Sequence, residues 1–414
     1  MSAPAPGVTL PKGFLAGGMS CGIKRSLRPD LALLVSERSA TAAGLFTTNR
    51  VKAAPVVLTA RQLHDHAEDA RAVVVVSGVA NAMTGTGGEE DSRQVMDATA
   101  KALGVPFGSV LHAATGVIGP RIPVPKVLGA LPVLASRLER SPEGAHRAAQ
   151  AILTTDTIAK EAGVSVRLSD GTRVHVGGMA KGSGMIAPAL GAPHATTLAF
   201  LTTDARVSRP GLEQILHREA DRTFNMVSVD GDTSTNDTLL ALANGAAGGP
   251  LADDEPALRQ AFGSVLEQLA RSVARDGEGA TKLLTVRVEG AHDVGEARRA
   301  ARAVASSLLV KTALFGADPN VGRIAAALGY SGAEFEADRL GVDLVEGPRR
   351  WPLIQSGMPL PGLENGQGKR LHSVLQRLEE VVLEVRLGEG PASATAWGCD
   401  LSYAYVQINA QYRT

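Results

Sequence analysis

Cysteine is nearly absent from this chain: 414 residues contain two, Cys21 and Cys399. Two thiols so far apart in sequence make neither a disulfide framework nor a cysteine zinc site, and they fit a reducing compartment. Aromatic residues are scarce at 3%, which argues against the base-stacking surfaces of single-strand nucleic-acid binders. Neither sign of charge dominates, with Lys+Arg and Asp+Glu at 42 each. That balance leaves no electrostatic footprint for nucleic acid or for an anionic membrane. No apolar run reaches the roughly 18 residues that span a bilayer. The first residues lack the basic region and apolar run of a signal peptide, so a cytoplasmic protein is expected. The histidines form no His-Glu-x-x-His, and Asp230, Asp232 and Asp237 lack the glycine and glutamate spacing of a calcium loop. No metal and no tightly bound cofactor is expected.

What is plentiful is apolar aliphatic residue and glycine. An apolar fraction of 44% is ample for folded cores, and 46 glycines imply many tight turns and close backbone approaches. The length calls for two or three lobes. Short β-branched runs alternate with helical patterns, which predicts an α/β fold. Strands are predicted at Leu31–Ser36, Val73–Val76, Val164–Leu168, Arg173–Val176, Thr197–Thr202, Leu283–Val288, Val381–Leu387 and Tyr403–Ile408. Several are almost continuously apolar, as strands buried on both faces would be. Ser208-Arg-Pro210 opens a helix with Leu212, Ile215 and Leu216 on one face. Leu258, Phe262, Val265, Leu266, Leu269 and Val273 make a long helical stripe that stops at Asp276-Gly277. Asp293 with Glu296 reads as a capping box. Gly357–Gly368 reads as a loop or hinge.

The most informative stretch is Lys181-Gly-Ser-Gly-Met-Ile-Ala-Pro, followed by Ala195-Thr196-Thr197-Leu198. It places a lysine in a glycine-rich loop shortly before a threonine that opens an apolar strand. A threonine hydroxyl is a poor nucleophile unless a base takes its proton. Cutting the chain before the threonine supplies one, because the new α-amino group sits on the nucleophile itself. Gly178-Met-Ala-Lys-Gly-Ser-Gly184 has the composition of a phosphate loop, but its lysine precedes the Gly-Ser pair, so the P-loop spacing is missing.

The segment from Lys181 to Ala205 resembles the signature of the bifunctional ornithine acetyltransferase / N-acetylglutamate synthase family of arginine biosynthesis. Further blocks carry the resemblance along the chain: Cys21-Gly-Ile-Lys, Ala42-Ala-Gly-Leu-Phe-Thr-Thr-Asn49, Thr115-Gly116-Val-Ile-Gly119, Thr154-Thr155-Asp156-Thr157, Val229-Asp-Gly-Asp-Thr-Ser-Thr-Asn-Asp-Thr238, Asp276-Gly-Glu278, Gly316-Ala-Asp-Pro-Asn320 and Ile408-Asn409-Ala-Gln-Tyr-Arg-Thr414. Departures are Val76 and Val79 where the family prefers asparagine, Val321 in place of its usual tryptophan, and an expanded Ala187–His194 segment.

The resemblance implies a layered α/β architecture of the ornithine acetyltransferase (DmpA/ArgJ-like) type with a smaller C-terminal α/β lobe. It implies self-cleavage between Ala195 and Thr196, giving chains 1–195 and 196–414 that pair into an α2β2 heterotetramer. Thr196 is the implied nucleophile, with Thr115 and the Gly116 N–H as the oxyanion hole. Thr155 (or Thr154 beside it), Lys181, Thr196, Glu278, Asn409 and Thr414 are the implied substrate contacts. The implied reaction moves acetyl from N-acetylornithine to glutamate, with acetyl-CoA as a second, transient donor in bifunctional members. Two other readings stay open: an N-terminal-nucleophile amidohydrolase or aminopeptidase, and an uncleaved binding protein for acetylated amino acids.

Overall fold

Among the residues that the computed structural model describes, 7–187, 197–363 and 366–411, the first strands in chain order are β1 (Phe14–Met19), β2 (Leu31–Phe46), β3 (Ala70–Val79), β4 (Val110–Val117), β5 (Lys160–Arg167), β6 (Arg173–Lys181) and β7 (Leu198–Thr203). There follow β8 (Val227–Ser228), β9 (Thr238–Ala243), β10 (Leu283–Gly290), β11 (Gly341–Glu346), β12 (Arg349–Gln355), β13 (Met358–Pro359), β14 (Glu380–Arg386) and β15 (Gly390–Cys399). The described residues divide into two units, one holding residues 7–225 and 232–269, the other 226–231 and 270–411.

In the first unit the strand order is β4-β3-β2-β9-β7-β6-β5, with β1 also paired to β2. The sixteen-residue β2 serves two partners in turn: Leu31–Val35 pair with β3, and Thr41–Phe46 pair with β9. One apolar cluster takes Val73, Val75 and Leu111 from one side of this hinge strand and Met179, Phe200 and Leu240 from the other. Side chains from strands so distant in order share a cluster only if the two halves lie face to face, so β2 folds the sheet into a sandwich. Alternate residues of β3 face outward: Val74 and Val76 pack with Val95 and Met96 of helix Gly85–Leu103 and Val127 and Leu131 of helix Val124–Ala135. On the opposite outer face, a Cβ added at Gly178 would come within 3.0 Å of Val265 and Leu269, so helix Pro256–Arg275 packs there against bare glycine. Strands buried on both sides explain the unbroken valine run 73–76, each side chain contributing roughly 1.5–3 kcal/mol by burial.

The second unit has its own sheet in the order β13-β12-β11-β14-β10-β15-β8. Helix Val294–Ser306 opens as expected, the Asp293 carboxylate accepting from the Glu296 N–H at 2.9 Å. One expectation fails here. Tyr403–Ile408, read from sequence as a closing strand, lies in a helix, Tyr403–Ala410, capped by Ser402, whose hydroxyl accepts from the Ala404 N–H. The alternating aromatic and β-branched residues mimic a strand. The cap decides otherwise, and the helix buries none of its side chains. The loop expected over 357–368 also carries the short β13 and the start of a helix at Gly366. Within the described residues no helix is long and apolar enough to cross a membrane.

Candidate active site

Thr115 and Gly116 stand at the end of β4, where the ladder to β3 loses its regular register around Gly78 and Val79. Gly116 has φ +129°, and a Cβ there would fall 2.3 Å from the carbonyl carbon of Gly78. Only glycine fits so close a backbone approach. Thr115 is buried, and its Oγ accepts from the Lys181 ammonium at 3.3 Å. A hydroxyl that accepts in this way keeps its own proton to donate elsewhere.

Lys181 ends β6, opposite Leu198 in the antiparallel pairing with β7. Its strand end is held by Asp156. One carboxylate oxygen of Asp156 accepts from the Gly182 N–H at 2.7 Å and from the Lys160 ammonium at 2.7 Å; the other accepts from the Thr154 N–H at 3.0 Å. Burial opposes ionisation of Asp156, but Lys160 and Lys181 outweigh it and hold the carboxyl far below its usual range. Of the Thr154–Thr155 pair, Thr155 turns its hydroxyl to Ser183 at 2.7 Å, next to the lysine loop. Thr154 is tied through its backbone to Asp156 and to the Arg28 guanidinium. Lys24 donates to the carbonyls of Pro29 and Leu153 at 2.6 Å each, and burial lowers its pKa to about 8.

Ala195 and Thr196 lie outside the described residues, as does Thr414. Thr197, next in the chain, is buried, and its carbonyl accepts from the Thr238 N–H at 3.0 Å. Just before Thr238 lies Asp237, whose two carboxyl oxygens are buried without a well-formed hydrogen bond. Burial pushes its pKa well up against the pull of the Thr197 and Ser234 N–H groups, the Thr47 hydroxyl and Lys181. Asn236 spans further: its amide NH2 donates to the carbonyls of Ala80 at 2.7 Å and Ala114 at 2.8 Å. Lys24, Asp156, Asn236 and Asp237 lie in the sequence blocks that carry the family resemblance, yet no role for these side chains is legible there. The signal was buried-type polar residues in glycine- and threonine-rich runs; their partners, often more than a hundred residues away, were not readable.

The second unit brings together the other two expected contacts. The Asn409 amide donates to Glu278 Oε2 at 2.7 Å and to the Tyr405 carbonyl at 3.1 Å. Glu278 is buried, and the following Gly279 has φ +70° against the Tyr405 backbone. The Ser402 hydroxyl that caps the helix donates to the Gly279 carbonyl at 2.6 Å, so one side chain fixes both helix and loop. Neither cysteine suits a nucleophile: burial, then Asp30, raises Cys21 to about 12, and burial raises Cys399. Among the described residues no three His, Cys, Asp or Glu side chains gather as a metal site would need.

The profile of the ArgJ family matches residues 15–414. The chain is 47% identical over 420 residues to the arginine biosynthesis bifunctional protein ArgJ of Synechococcus sp., covering 99% of this chain and 97% of that one. It is 47% identical over 416 residues to the protein of the same name from Symbiobacterium thermophilum, covering 99% of each. Among solved structures, an ornithine acetyltransferase complexed with ornithine from Mycobacterium tuberculosis is 40% identical with a TM-score of 0.42, the match covering 45% of this chain and 96% of that one.

Proposed function

We propose, from the premise that this chain belongs to the ArgJ family, that it is an acyltransferase of arginine biosynthesis. It moves acetyl from N-acetylornithine to glutamate through an acetyl-Thr196 intermediate. In the maturing chain Thr196 Oγ attacks the Ala195 carbonyl, the peptide nitrogen leaves as the new α-amine, and water hydrolyses the resulting ester. An α-amino group titrates ordinarily near about 7.7–8.0, so at neutral pH it can both take and return a proton. In the first half-reaction it takes the Thr196 hydroxyl proton as Oγ attacks the acetyl carbonyl, then gives it to the departing ornithine nitrogen. In the second, glutamate's amine attacks the acetyl ester, its proton passes to the α-amine, and Thr196 Oγ leaves with that proton.

The observation that carries this reading is the Lys181–Thr115 contact. It joins the strand preceding Thr196 to the strand of the oxyanion donors, Thr115 Oγ–H and the Gly116 N–H. Lys181 holds Thr115 as an acceptor, leaves its proton free for the developing oxyanion, and supplies charge for a substrate carboxylate. Thr155 and Thr414 complete the substrate contacts, and Glu278 with Asn409 receives the cationic end of ornithine. Acetyl-CoA serves as the second donor, acylating the same threonine. The two chains remain together as an α2β2 assembly in the cytoplasm. Steady-state kinetics test the transfer. A ping-pong pattern with N-acetylornithine and glutamate is the expected result, and acetate release independent of glutamate would overturn it in favour of a hydrolase.

A further inference from the structure

The oxyanion donors on β4 and the strand β7 that follows Thr196 in the chain lie on different halves of the sandwich, so something must fix their separation. The segment 236–238 touches both halves. Its Thr238 N–H holds the carbonyl of Thr197, the residue after the nucleophile. Its Asn236 amide crosses to the other half and donates to Ala80 O and Ala114 O. Those two carbonyls flank the irregular end of the β3/β4 ladder, and Ala114 immediately precedes Thr115. Two carbonyl acceptors fix which end of the amide is NH2, and the amide oxygen accepts from Thr235 Oγ at 2.6 Å. Asn236 is buried, so no water replaces these bonds without rearrangement.

We infer that Asn236 is a positioning residue for the oxyanion hole: it clamps the Ala80 and Ala114 carbonyls and thereby sets Thr115 and Gly116 at a fixed distance from β7, the strand that follows Thr196 in the chain. The inference rests on the oxyanion role proposed above. An oxyanion hole acts only when its donors already sit where charge develops, so a shift should be felt in turnover and little in ground-state binding.

Acetyl transfer from N-acetylornithine to glutamate, measured on processed enzyme for Asn236→Ala, Asn236→Ser, Asn236→Asp and Thr115→Ala, tests it. The Asn236 variants should lose about 10²-fold in kcat with KM within about twofold of native, the magnitude of a roughly 1 Å misplacement. Asn236→Asp keeps the native shape and carries the test should the smaller side chains not fold. Ionised, it opposes both carbonyls; protonated, it donates to one. Its kcat relative to native should therefore rise as pH falls, a recovery that a merely structural defect would not give. Native kcat in the Asn236 variants, or losses of kcat matched by rises in KM with no recovery at low pH, would overturn the clamp. Thr115→Ala separates the two claims. If it slows turnover while the Asn236 variants do not, the clamp alone fails; if it leaves kcat unchanged, the oxyanion assignment itself is wrong.

Discussion

At the scale of single residues, the site is organised by buried charges that have been given partners. Asp156 is the clearest case, because one carboxylate serves Lys160, Gly182 and Thr154 together. Asp156→Asn removes the negative charge that faces the buried Lys160 ammonium, a change of a kind that typically costs about 3–5 kcal/mol. The expected outcome is a lower urea midpoint together with a raised KM for N-acetylornithine, since the Gly182 and Thr154 N–H groups beside Lys181 and Thr155 lose the charge that holds them. An unchanged KM would show that the lysine loop is held by other means. Gly116→Ala is expected to abolish turnover, because the added methyl cannot coexist with the Gly78 carbonyl carbon at 2.3 Å and φ +129° strains any side chain. Measurable turnover in that variant at the native rate would remove Gly116 from the hole. The sequence already pointed to Thr115, Lys181, Glu278 and Asn409 by motif. The structure brings Lys181 to Thr115 and Asn409 to Glu278. What motifs could not convey is who holds the holders, since Asn236 reaches partners 122 and 156 residues away.

At the scale of elements, strands were legible where hydrophobicity was continuous. Val73–Val76 and Thr197–Thr202 fall within or against β3 and β7, whose burial on both faces leaves little freedom of composition. The fold-over of β2 was not legible, because a sixteen-residue strand that changes partners leaves no local pattern at the point of change. The C-terminal helix was misread for a related reason: with no buried side chain it has no apolar stripe to show a helical period. Its existence depends on its cap, so Ser402→Ala should cost about 1 kcal/mol of stability. The same change frees the Gly279 carbonyl next to Glu278 and should raise KM for N-acetylornithine, read in the transfer assay. A stability loss with native KM would mean that the Glu278 loop is held without Ser402.

At the scale of the whole molecule, acid should weaken the fold through His112. This side chain lies fully buried with neither ring nitrogen hydrogen-bonded, and burial lowers its pKa to about 3. The unfolded chain takes up a proton below about pH 6.5 while the folded protein does not. Stability should therefore fall as pH drops through the window from about 6.5 to 3, by roughly 1.4 kcal/mol per pH unit, and level off below it. His112→Leu should flatten this decline in urea midpoints measured across the window, and an unchanged slope would assign the acid sensitivity elsewhere. Asp156 acts lower still: its stabilisation is present above the ordinary carboxyl pKa and is lost as pH falls beneath it. Every step of the proposed transfer depends on Thr196. An intact-mass spectrum of the purified protein, taken with and without N-acetylornithine, tests it most directly. Two chains are expected, residues 1–195 and 196–414, with one acetyl group added to the second when N-acetylornithine is present and glutamate is absent. A single uncut chain of 42.8 kDa, or acetyl on any residue other than Thr196, would contradict it.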